Sequence, residues 1–433
     1  MSSVSLPSYA PPDLGRIPSY TAEPQSHERR IAHALAYRRP SADFVKQSKL
    51  GGVSLHLSAP AGGSSLPVYG TRGPVEGTLE LTKIEGLAYV AVKIEGFLKL
   101  KEVAGGGTTS TVLCNETITL WRKGIDPSPC PTQFSFSAVL PTEFSDEKGS
   151  YSLPPTYEAH LSGLPGFQAN VEYAVTAIAS KNKTVVLGIG ATTVTSPFTY
   201  YPRTRPAQAL PPPPLPTSYA PGLQETALWR AHESSLVSRV ANSKGISCKL
   251  YLAKSHVFHM RQPIPFHLSF SGSAMSLASL LPFLPTQGQS PTKSCMRIQV
   301  LRQTSIDVNN DYILSGSKTE IWRVVNVGEG TFRRSNDGGD YLTLAGEIRI
   351  NPDVSVGGFK AGGLWVKDCI VFTITPPDAL KGPIGDLRQV IPVRLTTDPY
   401  AADGSGAYVL QASPAESQVF EFEAPTLQYY APA

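Results

Sequence analysis

The stretch that decides the fold is Val75-Glu76-Gly77-Thr78-Leu79-Glu80-Leu81, followed by Val90-Ala91-Val92-Lys93-Ile94-Glu95-Gly96-Phe97-Leu98-Lys99-Leu100-Lys101. In the first run Val75, Gly77, Leu79 and Leu81 alternate with Glu76, Thr78, Glu80 and Thr82. In the second, after a break at Lys83–Gly86, Val90, Val92, Ile94, Gly96, Leu98 and Leu100 form the apolar register. A period of two puts one set of side chains on one face of a pleated strand. A helix of this sequence would scatter Val90, Val92 and Ile94 around its circumference, so two strands and a turn are expected. Gly77 and Gly96 weaken a strand and point to a bulge or to the close approach of another sheet.

The same alternation recurs on either side. Val53, Leu55 and Leu57 precede it. Val112, Cys114, Ile118 and Leu120, then Phe134 to Leu140, Val171 to Ala177 and Thr184 to Ile189 follow it. About seven short strands separated by Gly, Pro, Asn and Ser turns predict a β-sandwich. The run Pro211-Pro212-Pro213-Pro214-Leu215-Pro216 then predicts a stiff polyproline II linker. Beyond it Cys248–Leu252, Ile264–Phe270, Met296–Val300, Ile321–Val327, Tyr341–Ile350, Leu364–Ile374 and Val390–Leu395 predict a second sandwich. Residues 1–24, rich in Ser, Pro and Tyr without apolar periodicity, are expected to be disordered. Ser26 caps an expected short basic helix that runs to Arg38 and stops at Pro40. It carries Arg29, Arg30, Arg38 and Arg39, a composition that suits contact with an anionic membrane surface or simple solvation. The expected organisation is a tail at 1–47, a first domain at 48–200, a Pro-rich linker at 201–226, a second domain at 227–425 and a short tail at 426–433.

Composition narrows the function. The 433 residues suffice for two or three domains. The 37 glycines and 39 prolines favour a turn-rich, all-β chain. A net charge of +4 spread over this length gives no basic stripe for nucleic acid. Five widely spaced cysteines with no Cys-x-x-Cys pair indicate neither a zinc site nor a disulfide framework, and fit a reducing compartment. The N-terminus shows no basic patch followed by an apolar run, so no secretory signal is read. No metal or cofactor is expected. His256 and His259 are spaced like ligands, but a strand sends them to opposite faces. Asp307-x-Asn309-x-Asp311 opens like a calcium loop but has Tyr312 and Lys318 where Gly and Glu are needed. No nucleophile elbow or phosphate-binding glycine motif appears, and no catalytic residue is assigned.

Taken in order, these segments resemble the arrestins. Val75 to Leu81 and Val90 to Gly96 look like the second and third strands of an arrestin N-domain. Phe134 to Leu140 followed by Leu153-Pro154-Pro155-Thr156-Tyr157-Glu158 resembles the family's strand and Leu-Pro-Pro-Ser-Phe segment. Leu250–Leu252, the loop through Phe258 and Ile264–Phe270 resemble the opening of the C-domain, and Val390–Leu395 its closing strand. The tail composition resembles that of a fungal α-arrestin. The resemblance implies two tandem arrestin-like, immunoglobulin-like β-sandwiches and a non-catalytic adaptor. It further implies cargo in the cytoplasmic regions of membrane transporters or receptors, and a HECT-type ubiquitin ligase recruited through its WW domains for ubiquitylation and endocytosis. The place implied is the cytoplasm, peripheral at the plasma membrane or endosomes. A retromer-like trafficking scaffold without a ligase, and a β-sandwich carbohydrate-binding module or enzyme, are the alternatives.

WW domains take a polyproline II peptide and a Tyr ring in adjacent pockets. Leu6-Pro7-Ser8-Tyr9 and Ile17-Pro18-Ser19-Tyr20 are the docking candidates on the tail, where two copies add avidity. Pro213, Pro214, Leu215 and Pro216 form a weaker candidate that doubles as a spacer. Pro154, Pro155 and Tyr157 make the one strict Pro-Pro-x-Tyr match, in a place where a core-facing Tyr is expected. Lys46 and Lys49 are candidate ubiquitin acceptors, and Ser41 and Ser335 follow basic residues suited to a basophilic kinase.

Overall fold

The computed structural model describes residues 28–31, 41–49, 51–60, 64–103, 107–147, 149–181, 191–214, 223–239, 244–285, 294–308, 321–378 and 382–402. The protein is nearly all β, 62% strand against 3% helix, in large curled sheets of the all-β sandwich kind.

The two runs that decide the fold do form strands, Pro74–Leu81 and Tyr89–Glu102, and their apolar registers are buried. They do not pair with each other. Pro74–Leu81 lies in a four-stranded sheet between Val53–Pro60 and Gln133–Val139. Tyr89–Glu102 lies in a six-stranded sheet between Phe167–Ser180 and Thr108–Arg122. The seven residues between them carry the chain from one sheet to the other. Each sheet then turns its apolar face inward, so that Leu55, Leu79, Val92, Ile94 and Val175 share one core. Both glycines are accounted for. A Cβ at Gly77 would stand 2.1 Å from the His56 carbonyl oxygen, and one at Gly96 2.5 Å from the Tyr173 ring. The ladder also slips by a bulge between Gly96 and Phe97.

The second set of strands forms one ten-stranded sheet that runs from Trp229–Leu236 through Ile246–Ala253, Ile264–Ser271, Tyr341–Ile350, Ile321–Asp337, Met296–Ile306, Leu364–Ile374 and Leu387–Thr396 to Val257–His259, with Phe359–Ala361 paired to Leu364–Ile374. A second core gathers Leu250, Phe266, Phe270, Ile298, Ile370 and Phe372. A short α-helix, Ala274–Leu280, is capped by Ser273, whose hydroxyl accepts from the Ser276 amide.

The two cores are joined at a hairpin. Ile306, Val308, Ala361, Leu364 and Val366 come from strands and ends of the second sheet, yet they belong to the first core. The tip is Gly362-Gly363, with φ of 30° and 88°. A side chain at Gly363 would meet the Asp307 carbonyl oxygen at 2.4 Å and a Leu100 methyl at 3.3 Å. Only glycine takes this conformation without strain and lets the hairpin seat this deeply.

The structure departs from the sequence reading in two places. Glu28–Ile31, inside the expected helix of 26–38, is a strand antiparallel to Arg203–Pro206. Local capping favoured a helix, and backbone pairing with a segment more than 170 residues away overrides it. The expected tail of 1–47 is also too long, because Ser41–Gln47 pairs with Val53–Pro60 as an edge strand. Its alternation is weak because Val45 lies 51% exposed. The described part of the Pro-rich segment makes two contacts: Leu210 packs on the second core, and the Trp229 indole donates to the Pro212 carbonyl at 2.9 Å. The expected disorder of 1–24 and the expected strand at Thr184–Ile189 lie outside the described residues.

Replacing Gly363 by Val adds left-handed backbone strain to overpacking of the joint, each worth roughly 1–3 kcal/mol. Chemical denaturation should show a loss of about 3 kcal/mol or more for Gly363→Val. A loss under about 0.5 kcal/mol would mean that the hairpin tip is not seated in the core.

Candidate functional site

Around the hairpin the two sheet systems meet along a polar seam. The Tyr157 hydroxyl lies 2.9 Å from Thr304 Oγ1, and its ring packs edge-on against Phe359 at 5.2 Å. Thr109 donates its hydroxyl to the Val308 carbonyl at 2.6 Å. At the other end Thr397 donates to the Thr204 carbonyl, while the Thr204 amide donates back to the Thr397 hydroxyl at 2.8 Å. The Asp398 amide completes the clasp on the Thr204 carbonyl at 2.9 Å.

Charges reinforce this clasp. Arg203 grips Asp398 with a forked guanidinium: Nε reaches Oδ1 at 3.2 Å and Oδ2 at 3.0 Å, and Nη2 also bonds Oδ1. Burial pushes the Asp398 carboxyl up, but the hydrogen bonds from Arg203 and Thr397 and the charges of Arg203 and Arg205 outweigh it and hold the pKa below the ordinary value. The same bond raises the Arg203 pKa further. A second forked pair lies within the ten-stranded sheet. Arg302 donates Nε and Nη2 to the two Asp368 oxygens at 2.8 and 2.9 Å, and Nη2 also reaches the Val356 carbonyl at 2.7 Å. Asp368 is fully buried and Arg302 nearly so.

Two hollows flank the segment Leu153–Tyr157. One, about 80 Å³, is walled by Leu153, Pro154 and Pro155 with Tyr200, Thr204, Lys360, Arg394 and Thr397. The other, about 380 Å³, is lined by Tyr157, Arg302, Asn326, Asn351 and Asp353 among others.

The sequence-derived docking residues fall in different places. Leu6, Pro7, Tyr9, Ile17, Pro18 and Tyr20 lie outside the described residues, as do Leu215 and Pro216. Pro213 is exposed and Pro214 half-buried. Pro154 and Pro155 are buried and Tyr157 is engaged at the seam. Lys46 and Lys49 are exposed. Ser41 sits in the edge strand opposite Pro60, and Arg333 is exposed on Ile321–Asp337. His256 and His259 face separate partners. His256 Nε2 meets His232 Nε2 at 3.0 Å, and His259 Nε2 meets the Thr397 carbonyl oxygen at 3.2 Å. Asp307 uses its backbone amide on Gly363, and the calcium-like loop from residue 309 on lies outside the described residues. Among the described residues no three His, Cys, Asp or Glu side chains gather as a metal site, and all five cysteines are free. Among those residues no helix is long and apolar enough to cross a membrane.

The seam is what the sequence reading missed. Arg203 and Asp398 are 195 positions apart, and Arg302 and Asp368 are 66 apart. No local spacing marks such pairs. The one available signal is a charged residue on the inward register of an otherwise apolar strand, as Asp368 is within Leu364–Ile374. Neither the scan against protein-family models nor the search among curated proteins gives a match for this chain.

Arg302→Met leaves the Asp368 carboxylate buried without its forked partner and should cost about 3–5 kcal/mol by denaturant unfolding. The double variant Arg302→Met/Asp368→Leu should recover most of that loss; if it is as damaged as the single variant, the uncompensated charge is not the cause. Acid acts through other groups. Burial, with Arg230 beside one and Arg333 beside the other, lowers His232 and His267 to about 4. The unfolded chain therefore takes up protons first as pH falls from about 6.5, and stability declines between 6.5 and 4. Asp398 acts lower: its contribution is complete above about pH 4 and is lost as the carboxyl protonates below that. Stability measured against pH should flatten between 6.5 and 4 in His267→Phe, which keeps a ring against Trp229; an unchanged slope would exclude His267 as a source.

Proposed function

We propose that this chain is a non-catalytic, arrestin-like adaptor. It has two tandem β-sandwich domains, the first beginning at Ser41 and running to about residue 200, the second spanning about 227–425. Its sandwich surfaces engage the cytoplasmic regions of membrane transporters or receptors, and its N-terminal tail brings a HECT-type ubiquitin ligase to them. It acts in the cytoplasm, peripherally at the plasma membrane or endosomes, and the outcome is ubiquitylation and endocytosis of the cargo.

The observation that carries this reading is the pairing of two separate hydrophobic cores into one body through an inserted hairpin and a polar seam. That arrangement agrees with the tandem plan implied by the resemblance, and it gives a broad rigid frame with tails for recruitment. The segment Leu153–Tyr157 supports it in a second way. The strict Pro-Pro-x-Tyr match is packed into the seam, so ligase docking is assigned to Leu6-Pro7-Ser8-Tyr9, with Ile17-Pro18-Ser19-Tyr20 adding avidity.

The test is titration of the full chain against the WW domains of a fungal HECT ligase. Micromolar binding, roughly −8 kcal/mol, is expected. Tyr9→Ala should weaken it at least about tenfold, since the Tyr ring fills one of the two pockets. Tyr157→Phe should leave binding unchanged while lowering stability by about 0.5–1.5 kcal/mol through loss of the Thr304 contact. Absence of binding by the intact chain would remove the ligase from the proposal and leave the ligase-free, coat-binding scaffold as the reading of the fold. Loss with Tyr157→Phe alone would return docking to the seam.

A further inference from the structure

The 80 Å³ hollow at the seam has a wall of unusual composition. Two cations, Lys360 and Arg394, face it together with the hydroxyl-bearing residues Thr71, Thr142, Ser152, Thr204 and Thr397, and its lining holds no Asp or Glu. Lys360 is the informative member. It is half-buried on Phe359–Ala361, and its ammonium rests over the rings of Trp365 and Tyr151 at 5.1 and 5.8 Å. Burial and the neighbouring Lys367 both disfavour its charge, and only Asp146 acts the other way. No hydrogen bond or carboxylate pair holds its ammonium among the described residues. The aromatic faces position the cation without neutralising it.

A second observation comes from the strand that supplies Thr204. The next residue, Arg205, is 8% exposed, and its Nε and Nη1 have no hydrogen-bond partner. The carboxylate whose field reaches it, Asp398, is already gripped by Arg203 through both oxygens. Arg205 does not wall the hollow: next to Thr204 on one strand it turns the other way, so it adds positive field behind the wall and no contact within it.

We propose that the seam hollow is a binding site for a small tetrahedral oxyanion of the phosphate class, with Lys360 as its principal cation and the Thr142 and Thr204 hydroxyls as its hydrogen-bond donors. Hydroxyls and ammonium groups donate to such an ion without needing one fixed geometry. The small volume selects a free ion over a headgroup held in a membrane. Because the wall draws on both sheet systems, from Thr142 and Ser152 on one side and Lys360 and Arg394 on the other, the bound ion bridges them and tightens the joint. This inference does not depend on the ligase reading.

The experiment is thermal unfolding and calorimetric titration of the full chain with inorganic phosphate, against sodium chloride at matched ionic strength. A saturable rise in Tm with phosphate but not chloride is expected, with measurable heat of binding. Lys360→Met should weaken phosphate binding at least about tenfold, the scale of one charge-assisted bond. Lys360→Arg, which keeps the charge, should retain it. Thr142→Val, which leaves the charge and the aromatic stack in place, should weaken it less. Equal responses to phosphate and chloride, or a phosphate response untouched by both Lys360→Met and Thr142→Val, would overturn the proposal.

Discussion

Everything at the centre of this molecule depends on one insertion. The hairpin tip Gly362-Gly363 carries Ala361 and Leu364 out of the second sheet system and into the first core, beside Leu98, Leu100 and Phe144. Apolar burial stabilises this contact at about 25 cal/mol per Å² removed from water and has no directional preference. The direction is supplied by backbone geometry: two glycines with positive φ make a turn tight enough to be enclosed. Ile306 and Val308 extend the plug, and Asp307 closes it by donating its amide to the Gly363 carbonyl at 2.8 Å. Two sheet systems that could each bury their own apolar faces are thereby made to share a core.

The polar seam follows from that insertion. Once the plug is seated, Tyr157 comes within reach of Thr304, and Thr109 within reach of the Val308 carbonyl. Farther out, the Thr204–Thr397 clasp and the Arg203–Asp398 fork fix the orientation that the apolar contact leaves free. The fork is partly exposed at its Arg end, which limits what it adds to stability. Its more certain effect is specificity, since a forked pair accepts one arrangement of its partners. The Arg302–Asp368 pair is a different case. It is enclosed, so its desolvation cost is high, and its weight is felt chiefly when one partner is removed.

Function enters through what the seam does with sequence motifs. Leu153-Pro154-Pro155-Thr156-Tyr157 matches a WW ligand, but its place between two strands favours a strand-leading segment with a core-facing Tyr. Tertiary packing decides between the two uses for this copy, because Pro154 and Pro155 are buried and the Tyr157 ring is committed to Phe359. The tail motifs Leu6–Tyr9 and Ile17–Tyr20 are weaker matches and lie outside the described residues.

The sequence by itself determined the secondary structure of most of this chain. In Pro74–Leu81, Tyr89–Glu102, Phe167–Ser180 and Met296–Ile306, alternate side chains had to be buried, and the period of two records that directly. Gly77 and Gly96 were legible for the same reason: a missing side chain inside a buried register marks a close approach. Pairing was not legible. Alternation shows that a strand has a buried face but not which strand lies beside it, so two runs that look like neighbours entered different sheets. Glu28–Ile31 went further, taking its conformation from a partner at Arg203–Pro206 against its own local preference. The joint, its charge pairs and its cationic hollow were decided by tertiary structure alone. Their members are scattered from Thr71 to Asp398, and a pairwise contact between distant residues leaves no periodic trace in either neighbourhood.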